Sequence, residues 1–214
     1  KGAVYTHGNF AAQVALIRAT YGIEPGEIEL PTFPLFALFD PALGMTTVVP
    51  DMDFTRPAEV DPAKIFEAIQ GFGVTNMFGS PALIDTVGRY GATNGVKLPG
   101  LKQVISAGAP ASTKALLRFS TMLTPDVQIF TPYGSTESMP VTKVGSRQIF
   151  REAQEKTGNG SGVCIGKAVA GMEVAIIRIS DEAIPNWFEG LKVAPGEIGE
   201  IVVKGLNVTR SYYN

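Results

Sequence analysis

The chain is poor in the residues that build metal centres and covalent staples. It has one cysteine, Cys164, and one histidine, His7, in 214 residues. A single thiol excludes an intrachain disulfide framework, and with one imidazole it is too small a donor set for a structural zinc site. A reducing, cytoplasmic setting is therefore expected. Neither sign of charge dominates: 18 Lys and Arg stand against 20 Asp and Glu, for a net charge of −2. Without a basic stripe there is no footprint for nucleic acid, and without a polybasic run none for an anionic membrane. No apolar run reaches the roughly 20 residues that an integral membrane segment needs.

What the sequence does have is a folding composition. Forty-five per cent of it is hydrophobic, enough for one sizeable core or two small ones. Both ends, "KGAVYTHGN" and "RSYYN", read as interior sequence, so a longer parent chain is expected.

Helical and extended patterns alternate up to about residue 145. Asn9 is the expected cap of a first helix carrying Phe10, Val14, Ile17 and Tyr21 on one face. "EIELPTF", "MTTVVP", "VTNMF", "KQVISAG" and "VQIF" read as short strands, most of them without polar alternation. Asp61-Pro62 and Ser80-Pro81 pair an N-cap with Pro at the first helical position, and Ser112 caps a further helix. This order predicts an α/β fold, a mostly parallel doubly wound sheet with helices on both faces. After Val141 the texture changes. A helix from Ser146 to near Thr157 is expected, then a smaller, more antiparallel β unit built from "MEVAIIRI" and "GEIGEIVVKG". The expected division is 1–145, an α/β nucleotide- and acyl-binding part, and 146–214, a helix plus β part.

In such sheets ligands sit at the carboxyl ends of the strands. Two segments there carry chemistry. In Gly108-Ala109-Pro110 a glycine lets a flat ligand approach the backbone, and the helix that follows favours negative charge. In Tyr133-Gly134-Ser135-Thr136-Glu137, which reads as the loop after "VQIF", an aromatic face, a tight bend, two hydroxyls and a carboxylate are adjacent. Mg²⁺ commonly takes one or two carboxylates plus phosphate oxygens, so five residues hold what a magnesium nucleotide needs. Taken alone, either segment also reads as an ordinary turn or helix start.

These residues resemble the adenylate-forming enzymes, which include acyl-CoA synthetases, luciferases and peptide-synthetase adenylation domains. The family motif Y-G-x-T-E stands here at Tyr133 to Glu137, and its G-A-P loop at Gly108 to Pro110. Lys1-Gly2 is similar to the tail of the family's phosphate loop, and Pro195 to Gly205 to its G-E-[IL] segment. The resemblance implies ATP and Mg²⁺ as cofactors and a small-molecule acyl substrate. It gives Thr136 and Glu137 catalytic roles, with Glu137 on the metal. It places nucleotide contacts at Gly108, Ala109, Pro110, Tyr133, Gly134, Ser135, Thr136 and Lys1. An apolar acyl pocket is expected from Phe36, Phe39, Phe78, Gly79 and Met139, although such side chains also serve as ordinary core. The family's C-terminal domain with its catalytic lysine has no counterpart in this sequence. The family's frequent His in L-P-x-F-H is Ala37 here, and Ala168 replaces a usual Pro. The stretch from Leu30 to Asp53 most resembles the β-lactone-forming branch, in which the 3-hydroxyl of a 2-alkyl-3-hydroxy acid closes on the activated carboxyl. Coenzyme A enters only in the alternative, thioester-forming reading.

Overall fold

The computed structural model describes residues 2–214. Lys1, expected at the nucleotide, lies outside the described residues.

Strand β1 (Gly2–Ala3) leads into helix α1 (His7–Tyr21). Thr6, not Asn9, caps α1. The Thr6 hydroxyl accepts from the Asn9 amide at 3.1 Å, and Asn9 Oδ1 accepts from the Thr6 amide at 3.1 Å. Asn9 is thus the third helical residue of a reciprocal capping box, the place more often held by Glu or Gln. Strand β2 (Ile28–Pro31) follows, then a 3-10 turn (Pro34–Leu38), α2 (Asp40–Leu43) and β3 (Thr46–Thr47). Only two residues of "MTTVVP" pair, so this is a short edge strand, which limits unpaired backbone at the rim.

A helix and two βα units come next. They are α3 (Pro62–Gly71), β4 (Asn76–Gly79) with α4 (Pro81–Thr93), and β5 (Gln103–Ser106) with α5 (Thr113–Ser120). Their caps are those the sequence announces. Asp61 accepts from the Ala63 amide at 3.0 Å, Ser80 from Leu83 at 3.3 Å and Ser112 from Ala115 at 3.1 Å. Each removes an orphan N–H from a helix start.

The motif region departs from expectation. Strand β6 runs Ile129–Ser135, through Tyr133 and Gly134, and pairs antiparallel with β7 (Ser138–Gly145). Tyr133 to Ser135 therefore belong to a hairpin arm rather than a loop, and Thr136-Glu137 is its two-residue tip. Strand pairing overrides the turn propensity of Pro132 and Gly134. The single helix expected after Ser146 is three pieces, α6 (Ser146–Gln148), a π-turn (Ile149–Ala153) and α7 (Gln154–Gly158). The residue before Ser146, Gly145, occupies the cap, and the Ser146 hydroxyl instead accepts from the Ile129 amide at 3.2 Å. Strands β8 (Lys167–Ala168), β9 (Glu173–Ile177), β10 (Glu200–Lys204) and β11 (Tyr212–Tyr213) complete the chain.

The main sheet has the order β3-β2-β4-β5-β6-β7-β8, parallel from β3 to β6 and antiparallel beyond. Two antiparallel pairs, β9–β10 and β1–β11, stand outside it. Leu30, Met77, Val104 and Ile129 point from the sheet into the main core, against Ile65 and Phe66 of α3, Leu83 and Val87 of α4, and Leu116 and Phe119 of α5. α1 and α2 lie on the opposite face, where Tyr21 meets Phe130 and Leu16 packs near Val141. Helices on both faces of a mostly parallel sheet is the architecture the alternation implies.

Candidate functional site

Strand order reverses at β2. The chain pairs β2 with β3 on one side and then with β4 on the other. Crevices outside the carboxyl ends of strands at such a switch point are where open α/β sheets hold ligands. Phe78 ends near that point on β4, and the Phe36 ring stacks on it with centroids 4.0 Å apart. Phe39 lies 6.5 Å from Phe36 and stacks on Phe10 at 5.2 Å. Phe78 is buried, whereas Phe36 and Phe39 are half-buried. Three of the expected apolar lining residues are thus brought together at the strand ends. Gly79 closes β4 beside them, with Leu83 and Ile84 packed close behind. Met139 is separate. It sits on β7, and its carbonyl accepts from Gln13 Nε2 at 3.3 Å and Asn207 Nδ2 at 3.1 Å.

The next strand end, β5, leads into Gly108-Ala109-Pro110. Gly108 has φ +95°, a backbone state that side chains rarely adopt, and the space where its Cβ would stand is open. This leaves a flat, unobstructed patch of backbone ahead of the capped start of α5.

β6 follows β5 in the sheet. With strands about 4.8 Å apart, its end lies about two spacings from that of β4. Tyr133 presents a partly exposed ring there. Gly134 lies beside β7, an added Cβ falling 2.8 Å from the Ser138 carbonyl. Ser135 closes the arm. Its hydroxyl accepts from the Glu137 amide at 3.3 Å. Thr136 is exposed, and its hydroxyl makes no hydrogen bond among the described residues.

The Glu137 carboxylate stands in solvent at the tip. Tyr212 Oη donates to Glu137 Oε1 at 2.8 Å, and among the described residues no cation pairs with this carboxylate. Hydrogen bonds from the Ser135 and Tyr212 hydroxyls and from its own amide hold Glu137 below the usual carboxylate range. It is therefore ionised at neutral pH. Among the described residues no group of three or more His, Cys, Asp or Glu side chains is arranged to hold a metal ion. A lone anionic oxygen donor fits a hard cation that arrives on phosphate oxygens, not a resident metal held by a protein cage.

Tyr212, Tyr5 and Thr209 also touch this tip, with Gln13 behind Tyr5, and sequence reasoning missed them. Tyr5 Oη donates to the Thr136 carbonyl, and the Thr209 amide donates to the Glu137 carbonyl at 2.9 Å. A cavity of about 450 Å³ lies away from the aromatic cluster, bordered by Gln128, Phe130, Lys143 and Arg147. No helix of the described residues is long and apolar enough to cross a membrane.

Comparison with known proteins bears on the family and the fold. Over all 214 residues the chain is 46% identical to the olefin beta-lactone synthetase of Stenotrophomonas maltophilia strain K279a. It is likewise 46% identical to the olefin beta-lactone synthetase of Xanthomonas campestris pv. campestris. The chain spans about 38% of the length of each. Among solved structures, the unliganded o-succinylbenzoate coenzyme A synthetase of Bacillus subtilis superposes with a TM-score of 0.75 at 23% identity. That superposition covers 100% of this chain and 42% of the other, and it shows the shared fold. The family described as AMP-binding enzyme matches residues 1–213, and the chain belongs to it.

Proposed function

We propose that this chain forms the nucleotide- and acyl-binding part of an enzyme that activates a long-chain, fatty-acid-type carboxylate with ATP. The substrate is a 2-alkyl-3-hydroxy acid, and the product a β-lactone on the way to an olefin. The observation that carries this reading is the hairpin tip. Among the described residues the ionised Glu137 carboxylate pairs with no cation and the Thr136 hydroxyl has no partner, at the tip of the arm that carries Tyr133, one strand from the open Gly108 backbone.

In the activation step a carboxylate oxygen bonds to the α-phosphorus of ATP, and the bond from that phosphorus to the leaving pyrophosphate breaks. Two anions must meet, so charge neutralisation governs the barrier. Mg²⁺ bound with the nucleotide would supply positive charge at the phosphates, with Glu137 as its protein ligand. The Thr136 hydroxyl donates to a phosphate oxygen as charge develops, a contribution typically worth about 3 kcal/mol, or roughly 10²-fold in rate. Tyr133 stacks on the adenine, and the Gly108–Pro110 backbone flanks it. The Phe36, Phe39 and Phe78 rings receive the alkyl chains and hold the acid in place, which lowers the entropic cost of the encounter. In the closing step the 3-hydroxyl oxygen attacks the acyl carbon, its proton is released, and AMP leaves with the broken acyl–phosphate bond.

The likeness to olefin beta-lactone synthetases over the whole chain supports the lactone branch. So does Ala37, which stands at the end of the Phe33–Phe36 aromatic turn without any titratable group. The test supplies full-length protein with ATP, Mg²⁺ and a 2-alkyl-3-hydroxy acid, with and without coenzyme A. Lactone and AMP without coenzyme A are expected, and product formed only as a coenzyme A thioester would replace this reading. Glu137→Gln is expected to slow acid-dependent pyrophosphate exchange at least tenfold, about 1.4 kcal/mol. Exchange at the parent rate would remove Glu137 from the site.

A further inference from the structure

Two phenols reach the hairpin tip from opposite ends of the chain. Tyr5, between β1 and α1, donates to the Thr136 carbonyl and accepts from Gln13 Nε2 at 3.2 Å. Gln13 is 1% exposed, and the same amide nitrogen also donates to the Met139 carbonyl at 3.3 Å. Tyr212, in β11, donates to the Glu137 carboxylate at 2.8 Å. The strands that carry or adjoin these tyrosines pair with each other. Gly2 faces Tyr213, Ala3 faces Tyr212, and the Val4 amide donates to the Ser211 carbonyl at 3.0 Å. One two-stranded ribbon therefore grips the tip at two points.

Neither ring is core. Tyr5 is 38% exposed and Tyr212 54%. Their phenols do something burial does not explain: one fixes the peptide between Thr136 and Glu137, the other fixes the Glu137 side chain. A glutamate at an exposed tip otherwise samples many rotamers, and ordering it during binding costs free energy that a preformed hydrogen bond removes. We propose that Tyr5 and Tyr212 are positioning residues that hold Thr136 and Glu137 in the orientation required to meet a divalent cation carried by a nucleotide. The inference rests on the reading of Glu137 given above and extends it to two side chains outside the motif.

The test uses full-length protein, with Mn²⁺ and a non-hydrolysable ATP analogue as the probe, read by electron paramagnetic resonance. Tyr212→Phe is expected to weaken Mn²⁺ binding about fivefold, as loss of one partly solvated hydrogen bond to a charged group does. Tyr5→Phe, which acts through the peptide, is expected to weaken it a few-fold. Both variants should lower kcat for pyrophosphate exchange while leaving KM for the acid and the melting temperature unchanged. In the Glu137→Gln background, Tyr212→Phe should add nothing further, because the two act through one contact.

Two results overturn the positioning role while leaving the site reading intact. In one, Glu137→Gln loses Mn²⁺ and exchange while both Phe variants behave like the parent. In the other, the Phe variants lose melting temperature and activity together, which marks a merely structural role. If Glu137→Gln itself leaves Mn²⁺ binding and exchange unchanged, the site reading falls and this inference falls with it.

Discussion

Gly134 shows how much of the site depends on the absence of a single methyl group. An ideal Cβ at this position lies 2.8 Å from the Ser138 carbonyl and 3.0 Å from Met139 Cβ. The first of these is backbone of the partner strand and cannot rotate aside. The register of β6 on β7 also slips between Tyr133 and Ser135, so the arm is already irregular there. Gly134→Ala must push the two arms apart, which costs about 1–3 kcal/mol as overpacking does. It also shifts Tyr133 relative to Thr136, on either side of the wedge. The expected outcome is a lower melting temperature of the full-length protein together with a rise in KM for ATP. Normal melting with normal ATP affinity would show that the hairpin yields freely and that its tip is not a rigid platform.

At the scale of elements, the helix pair α4–α5 is set by a similar close approach. A Cβ on Gly88 of α4 lies 3.2 Å from the Phe119 backbone nitrogen of α5. Arg118 on α5 pairs with Asp85 on α4 at 2.8 Å and keeps the two helices in register. Gly88→Val gains helix propensity yet is expected to destabilise by about 1–3 kcal/mol, because the branched side chain meets backbone. Gly71→Ala in α3, where a Cβ meets nothing within 4 Å, should be neutral or stabilising by up to about 1 kcal/mol. Urea unfolding of the two variants separates them, and equal midpoints would show that α4 can lift from α5 without cost.

These same helices were the most legible part of the sequence. Asp61-Pro62, Ser80-Pro81 and Ser112 are local signals, and capping is decided within one turn, so sequence spacing suffices. The apolar strands were legible for a comparable reason, since two-sided burial leaves runs without polar alternation. The hairpin was not. Pro132 and Gly134 carry turn chemistry, and only pairing with a strand that comes after the tip makes them extended. The capping box of α1 was misread by three residues because Asn serves at either of its positions. In the site, Tyr133 to Glu137 stood out as a compact motif. Tyr5 and Tyr212 did not, because their partners lie 131 and 75 residues away in sequence. No periodicity or local spacing encodes such contacts.

Across the whole molecule, the main sheet has two unlike faces. One carries Leu30, Met77, Val104 and Ile129 into the apolar core. Strand alternation and register place Thr47, Glu29, Asn76 and Gln103 in a row on the other. Asn76 and Gln103 are buried there, as are Glu27, just before β2, and Asp40 of α2. Glu27 is compensated, accepting from Lys102 Nζ at 2.9 Å and Asn76 Nδ2 at 3.0 Å. Asp40 is only half satisfied. Its Oδ2 accepts from Thr47 at 2.5 Å, while Oδ1 is buried without a partner among the described residues. Glu29 faces Asp40, and burial first, then the hydrogen bond and charge of Asp40, hold Glu29 far above the usual carboxylate range. With a proton, Glu29 meets the Asp40 carboxylate as a hydrogen-bond donor instead of as a like charge.

The sign of the pH dependence follows. The folded chain keeps this proton after the unfolded chain has released it, so the stabilising contribution is fully present below the ordinary carboxylate range. It is lost progressively as pH rises from there toward the raised folded value, each unit being worth about 1.4 kcal/mol at most. Glu29→Gln retains a donor and removes the titration. The variant is expected to melt a few degrees above the parent at about pH 8 and to converge with it near about pH 5. Identical melting profiles across that range would place the proton elsewhere on the polar face. A variant that melts lower at both pH values would show that packing of the Glu29 side chain, not its charge, is what this face requires.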